Sequence, residues 1–507
     1  MAGSAAASRT SPSARRLARA ALAVILTAPI VAYLWVAVHR LGYPYELDWM
    51  EGGSVALAAR VAGGHSIYAA PSLAFVGWTY PPLYYWVAAA VAKLVGIGFL
   101  ALRLVSVAGS VAVMAALALM VGRETRDRLA GLVAAGLFAA TFVISGAWFD
   151  TGRVDSLFLA LTLVTLAWGR RAQTARGGVA LGVLAFLAFF TKQSGVVAVL
   201  PALLYLAVTR RRVGIPALVT LLVLGVVSTL ALDAASDGWY RYYVFSELAS
   251  QPWAQPVWVS FWTHDIWRQQ WPLVVLVVTG GATSAWRARR RIALRSPVLY
   301  HLAAASGLIA SAWISRLHTG GYANVLMPAY AAMALLAGLA FGSLSRGPRG
   351  QIMGTAAGIM LVVQVVLLAY PIGAQIPTAA DRAAGAALIA RLRSLPGPVV
   401  VLRHPWYATL AGKGTSAAQE EAIHDVLRSR APRGAQALRA SLNRALDADG
   451  VRAVVLDYAG DGTLLGPEFE REFRLQRAPI SPPLYPLTDL RTAPRLVYMR
   501  RGGSGSP

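Results

Sequence analysis

The sequence predicts an α-helical polytopic membrane protein that carries a small C-terminal α/β domain. Three observations predict it. First, 57% of the 507 residues are hydrophobic and 14% are charged, where soluble domains carry about 25% charged residues. Second, the apolar residues gather in blocks of roughly 15 to 23 rather than at a helical period. Blocks of that length match a hydrocarbon core of ~30 Å at 1.5 Å rise per residue. In lipid the backbone must satisfy its own hydrogen bonds, so such blocks are helices. Third, the composition turns soluble near Pro377.

The net charge is +24, and the basic residues lie in short clusters between the apolar blocks. That is the pattern of cytoplasmic loops under the positive-inside rule, and it needs no nucleic acid. There is no cysteine, which excludes disulfides, thiolate catalysis and Cys-ligated zinc. Residues 1–17 read as a cytoplasmic tail with Arg9, Arg15 and Arg16. The block Ala20 to Val38 is too long for the apolar region of a signal peptide and reads as an uncleaved first span.

About eleven spans are predicted within residues 18–376. They lie near 18–39, 101–122, 129–147, 153–170, 177–190, 194–209, 214–233, 271–286, 297–315, 322–342 and 351–371. The segment Pro82 to Gly98 is apolar enough to span. Placing it along the membrane surface, however, brings the clusters at 123–128, 170–176, 210–212, 287–295 and 346–349 to one side, as the Lys/Arg bias requires. Residues 40–100 then form an external loop with juxtamembrane helices, and 234–270 a second external loop rich in Trp and Tyr. Residues 377–501 form the non-cytoplasmic α/β domain. Its predicted strands are Val399 to Leu402 and Ala453 to Leu456, and its helices Ala379 to Leu395 and Ala417 to Leu427. Residues 502–507 read as a disordered Gly/Ser tail.

Polar residues beside a membrane are costly and are functional candidates by default. Five groups stand out, all on the predicted outer face. Glu46, Asp48 and Glu51 follow the first span; a shielded carboxylate can act as a general base or bind a divalent metal. Asp48 and Glu51 are three apart, on one face of a helix starting near Asp48. Pro81 and Pro82 fit a helix start, with Tyr80, Tyr84, Tyr85 and Trp86 around them. Asp150, Arg153 and Asp155 are close enough to pair, either as a local cap or to hold an anion and its acceptor. Lys192, in Thr191-Lys192-Gln193, suits a phosphate as a point charge. Arg316 and His318 precede another apolar block and can also meet a phosphate. Each group has a bland reading as a solvated loop, a helix cap or a snorkelling side chain. Their common side is the stronger argument.

The order of these pieces resembles the multi-spanning glycosyltransferases of the GT-C fold, in the bacterial group related to protein O-mannosyltransferases and lipid A aminoarabinose transferases. The matching elements are the acidic motif Glu46, Asp48 and Glu51, the Pro81-Pro82-Leu83 motif, the second acidic motif Arg153, Val154 and Asp155, and Thr191-Lys192-Gln193. The first motif departs from the adjacent Asp-Glu of well-known relatives. The resemblance implies inverting transfer of a hexosyl or pentosyl group from a polyprenyl-phosphate donor to an envelope lipid, glycan or protein. Asp48 is then the base, with Glu51 its rival, and Lys192, Arg153 and Arg316 hold the phosphate. No cofactor is fixed by it and a divalent metal stays open. The implied location is the bacterial cytoplasmic membrane, with the N-terminus inside. The rival reading is a transporter or lipid flippase, and a second is an assembly scaffold. Transporters often show paired halves and broken helices at mid-membrane; here the polar groups gather at one face.

Overall fold

The computed structural model describes residues 12–288, 294–346, 350–414, 418–448 and 450–501. Most of the predicted tail 1–17, the tail 502–507, parts of the arginine clusters 287–295 and 346–349, and Ala417 at the start of a predicted helix lie outside the described residues.

Each of the eleven predicted spans is helical. The first is α1 (Pro12–Leu41). Two helices of the first loop follow, α2 (Glu51–Ala62) and α3 (Leu83–Val95). The next six of the eleven are α4 (Phe99–Thr125), α5 (Arg128–Ala140), α6 (Asp155–Gly169), α7 (Ala175–Thr191), α8 (Ser194–Thr209) and α9 (Arg211–Ala234). The last four are α10 (Gln269–Ala288), α11 (Pro297–Leu317), α12 (Met327–Leu344) and α13 (Gly350–Leu367). Among the described residues six helices can cross a membrane by length and composition: α1 without its first residue, α4, α9, α11, α12 with the turn before it, and α13. Helix α3 has 13 residues, roughly 20 Å at 1.5 Å per residue, short of the ~30 Å core.

Helix α5 also has 13 residues. Its predicted span runs to 147 because the chain stays apolar, but the backbone leaves the helix at Thr141 and forms a 3-10 turn at Val143–Ser145. The loop that follows, 146–154, is almost wholly buried in protein. Irregular backbone at that depth is tolerated only where protein satisfies it.

The helices approach through small residues, as membrane helices do. A Cβ on Gly109 of α4 would stand 2.7 Å from the Ser156 carbonyl carbon of α6, and one on Gly307 of α11 would stand 2.3 Å from the Ala198 carbonyl oxygen of α8. One end of the bundle collects Arg19 against Asp127 and Arg170 and His301 against Glu124. The other end carries the predicted site.

The aromatic segment 234–270 is not a loop. It is helical in short pieces: Trp239–Arg241, a π-helical turn Tyr242–Glu247, Leu248–Ser250, Val257–Ser260 and a second π-helical turn Phe261–Arg268. Trp239, Tyr240, Tyr242, Tyr243 and Phe261 are buried, while Trp253, Trp258, Trp262 and Trp267 are exposed. The aromatic rings thus serve packing as well as surface, which composition alone does not separate.

The C-terminal part holds a four-stranded sheet, order β1-β2-β4-β3, from β1 (Val399–Val401), β2 (Ala453–Leu456), β3 (Phe473–Leu475) and β4 (Leu496–Arg500). β1 and β2 are parallel, with Val400 opposite Val454; the other two pairs are antiparallel. Its main helices are α14 (Ala379–Ser394), α15 (Pro405–Leu410), α16 (Glu420–Arg428) and α17 (Pro432–Ala448). A Thr378/Asp381 capping box starts α14.

The close approach of α4 and α6 sets where Arg153 and Asp155 stand. Gly109→Val forces the two backbones apart and is expected to cost about 1–3 kcal/mol by overpacking. Thermal unfolding of the purified chain should show a lower midpoint; an unchanged midpoint would contradict this packing.

Candidate active site

Helix α2 begins at Glu51, not at Asp48, so the two carboxylates do not share a helix face. Asp48 belongs to the turn before it, where the Glu51 N–H donates to the Asp48 carbonyl. Glu51 is fully engaged. Its Oε1 accepts from Arg103 Nε at 2.8 Å and from the Gly152 N–H at 2.7 Å; its Oε2 accepts from Arg103 Nη2 at 2.7 Å and from the Leu47 N–H at 2.9 Å. Arg103 also donates to the carbonyls of Arg40, Tyr43 and Tyr45. Both side chains are fully buried. The rival base Glu51 therefore stands as an anchor that ties the first loop, α4 and the 146–154 loop together. Arg103 was absent from the candidates, though an ionisable residue inside an apolar block is itself a signal.

Asp150, Arg153 and Asp155 do not pair with one another. Asp150 faces Arg40 Nη1 at 3.1 Å. Asp155 accepts from Lys192 Nζ at 2.7 Å and from Asn324 Nδ2 at 2.9 Å. Arg153 lies 3.5 Å from Asp48 through Nη1, between the rings of Trp78 and Trp148 at 5.3 and 4.8 Å. The local cap is thereby replaced by three long-range ion pairs. Asp48 is fully buried, and neither carboxylate oxygen has a hydrogen-bond partner among the described residues. Burial pushes its carboxyl well above the usual range, against the pull of Arg153.

Glu46 is held from the C-terminal domain. His404, just before α15, contacts Glu46 through Nδ1 and Asp457 through Nε2 at 3.0 Å, and Thr492 donates to Asp457. The Glu46 N–H donates to the Tyr407 hydroxyl at 3.2 Å. Next to it the Leu47 carbonyl accepts from the Thr488 N–H and hydroxyl at 3.0 and 2.9 Å. A Cβ at Gly52 would fall on Glu46 Oε1, so a larger residue there would displace the Glu46 carboxylate. Burial pushes Glu46 up to about 7 against the pull of His404. Burial lowers His404, but the Glu46 and Asp457 carboxylates outweigh it and carry it up to about 10.

A cavity of about 270 Å³ opens beside these groups. Arg153, Lys192, Trp78, Tyr80 and His318 line it. Arg153 joins it to Asp48. Tyr80 directly precedes Pro81 and Pro82; Pro82 caps α3, whose Tyr84 hydroxyl donates to the Leu102 carbonyl of α4 at 3.2 Å. Arg316 is engaged elsewhere: Nε bonds Asp265 at 3.0 Å and Nη1 donates to the Gly321 carbonyl. His318 does line the cavity, and burial lowers its imidazole toward the neutral form. Of the predicted phosphate candidates, Lys192 and Arg153 are the cations brought to the cavity. Among the described residues no three His, Cys, Asp or Glu side chains converge to hold a metal ion.

A family model, dolichyl-phosphate-mannose-protein mannosyltransferase, matches residues 79–232. In backbone the chain resembles ArnT from Cupriavidus metallidurans bound to undecaprenyl phosphate, at 15% identity over 96% of this chain and 98% of that one, TM-score 0.57. The apo state of the same protein gives 16% identity over 94% and 97%, TM-score 0.54. The chain has the GT-C fold. The archaeal oligosaccharyltransferase AglB from Archaeoglobus fulgidus, in complex with an inhibitory peptide and a dolichol-phosphate, gives 12% identity over 89% of this chain and 72% of that one, TM-score 0.51. No curated protein matches it in sequence.

Glu46 and His404 are both raised above their ordinary 4.5 and 6.5. At these two groups the folded chain binds more protons than the unfolded one, and the stability they contribute falls as pH rises. The His404 contribution is whole below about pH 6.5 and is lost as pH rises through about 10. The unfolding midpoint should fall across that window, and His404→Gln should flatten the fall. Parallel pH profiles for the two proteins would contradict the assignment.

Proposed function

We propose that this chain transfers a sugar from a polyprenyl-phosphate donor to an envelope acceptor, with inversion, on the non-cytoplasmic side of a bacterial cytoplasmic membrane. The observation that carries the reading is Asp48: a buried carboxylate without a hydrogen bond, joined through Arg153 to a cavity that also holds Lys192. The undecaprenyl phosphate and dolichol-phosphate named in the similar structures support the donor class. The arginine-rich end of the bundle supports a cytoplasmic N-terminus.

In this mechanism Asp48 takes the proton of the acceptor nucleophile as it attacks the anomeric carbon. The bond from that carbon to the phosphate oxygen breaks, and the electron pair leaves with the lipid phosphate. Lys192 and Arg153 stabilise the charge that gathers there. Burial raises the basicity of Asp48 above that of an ordinary carboxylate, which is the direction a general base needs. Glu51 fixes the turn that presents Asp48, and Glu46 ties that turn to the C-terminal domain.

Asp48→Asn is expected to lower transfer by about 10²–10⁴-fold while the protein still inserts, folds and binds the donor. The acid limb of the wild-type rate profile should lie above the ordinary carboxylate range. Radiolabelled sugar release from a polyprenyl donor measures both. Wild-type turnover by the Asn variant would sink the base assignment.

A further inference from the structure

The cavity is lined by a second polar group besides Lys192 and Arg153. Glu247 ends the π-helical turn Tyr242–Glu247 and lines the cavity. It is 1% exposed, and its Oε2 has no hydrogen-bond partner among the described residues. Gln251 lines the same wall; its Oε1 accepts from Arg428 Nε at 2.9 Å. Helix α16 supplies Glu421, Asp425 and Arg428 from the C-terminal domain, and Arg428 pairs with both carboxylates. Trp78, Tyr80 and Tyr322 give the cavity aromatic faces.

At about 270 Å³ the cavity sits at the small end of ligand pockets, which run from ~300 Å³ upward. That is room for one sugar ring and not for a chain. The lining offers both polar groups and aromatic rings, which match the hydroxyls and the C–H face of such a ring. A lipid phosphate at Lys192 and Arg153 places the attached sugar in the same cavity.

On the donor reading given above, we infer that Glu247, Gln251 and the Arg428–Asp425 pair recognise the ring hydroxyls of the transferred sugar, and that this sugar is uncharged. Charge supports the choice. One guanidinium, Arg428, answers both Glu421 and Asp425. Burial pushes Glu247 well above the usual range and Asp425 to about 7, which favours their protonated forms. A protonated carboxyl donates one hydrogen bond and accepts others, as a sugar hydroxyl requires. With Arg428 paired to Glu421 and Asp425 and Glu247 shifted toward its neutral form, the wall favours a neutral ring over an ammonium, and its carboxyl oxygens repel a carboxylate. Glu247 and α16 become specificity-determining elements, with the C-terminal domain choosing the sugar.

The test uses the full chain in lipid nanodiscs and four ligands: polyprenyl phosphate alone, and the same lipid phosphate carrying a neutral hexose, an amino hexose or a hexuronate. The neutral donor should bind about 10- to 100-fold tighter than the bare lipid phosphate, the worth of one or two buried hydrogen bonds. Glu247→Leu should erase that gain and leave bare-lipid binding unchanged, which also reports a folded protein. Glu247→Gln, whose amide still donates and accepts, should keep most of it. The inference is overturned if the hexuronate binds as well as the hexose, or if Glu247→Leu leaves the neutral donor untouched. It is also overturned if the amino hexose binds tightest and Glu247→Gln loses as much as Glu247→Leu, which marks a cation site. Binding of bare lipid phosphate without any gain from a sugar overturns the inference alone; failure to bind all four overturns the donor reading with it.

Discussion

The Glu51–Arg103 pair is the constraint on which the site depends. Two opposite charges sit fully buried at 2.7 Å. Each is costly to bury alone, and only a complete set of partners makes the pair tolerable. Both Glu51 oxygens are doubly bonded into this set, and Arg103 reaches three further backbone carbonyls. The carbonyls belong to the chain leaving α1; the Gly152 N–H belongs to the loop that carries Arg153. One ion pair on α2 and α4 therefore fixes the distance between the first acidic motif and the second. Asp48 and Arg153 meet because Glu51 and Arg103 do.

A second layer repeats the principle with other partners. Arg40 closes on Asp150 and on the Gln375 carbonyl at the entry to the C-terminal domain. Lys192 closes on Asp155, and His404 on Glu46. These charges are answered from different segments, which ties the loops together. Asp48 has a neighbour in Arg153 but no hydrogen bond. A buried acceptor left without a donor costs roughly 1–3 kcal/mol, and such strain gathers where chemistry is done. The C-terminal domain belongs to this scaffold: it grips Leu47 through Thr488 and adds a wall to the cavity through α16.

The bundle was legible in the sequence because its cause is local. A block of apolar residues can do little but form a helix in lipid, so eleven blocks became eleven helices. The strands Val399–Val401 and Ala453–Leu456 were legible as β-branched runs for the same reason. The site residues were legible by type and side, but their pairing was not. Asp150, Arg153 and Asp155 are neighbours in sequence, yet their partners lie 110, 105 and 37 residues away, at Arg40, Asp48 and Lys192. Spacing carries no information about contacts of that range. Arg103 was hidden inside an apolar block, and His404 and Glu247 in segments read as an α/β domain and an external loop. Aromatic residues were ambiguous at 234–270, since exposed rings and rings that fill a core look alike in composition.

The most direct measurement of the central claim is a double-mutant cycle on Glu51→Gln and Arg103→Gln by unfolding of the purified chain. Breaking one side of a buried pair strands the other charge, at about 3–5 kcal/mol. Each single change should therefore cost that much, and the double change clearly less than their sum. Additive costs, or a Glu51→Gln protein as stable as the parent, would contradict the claim that this pair holds the site together.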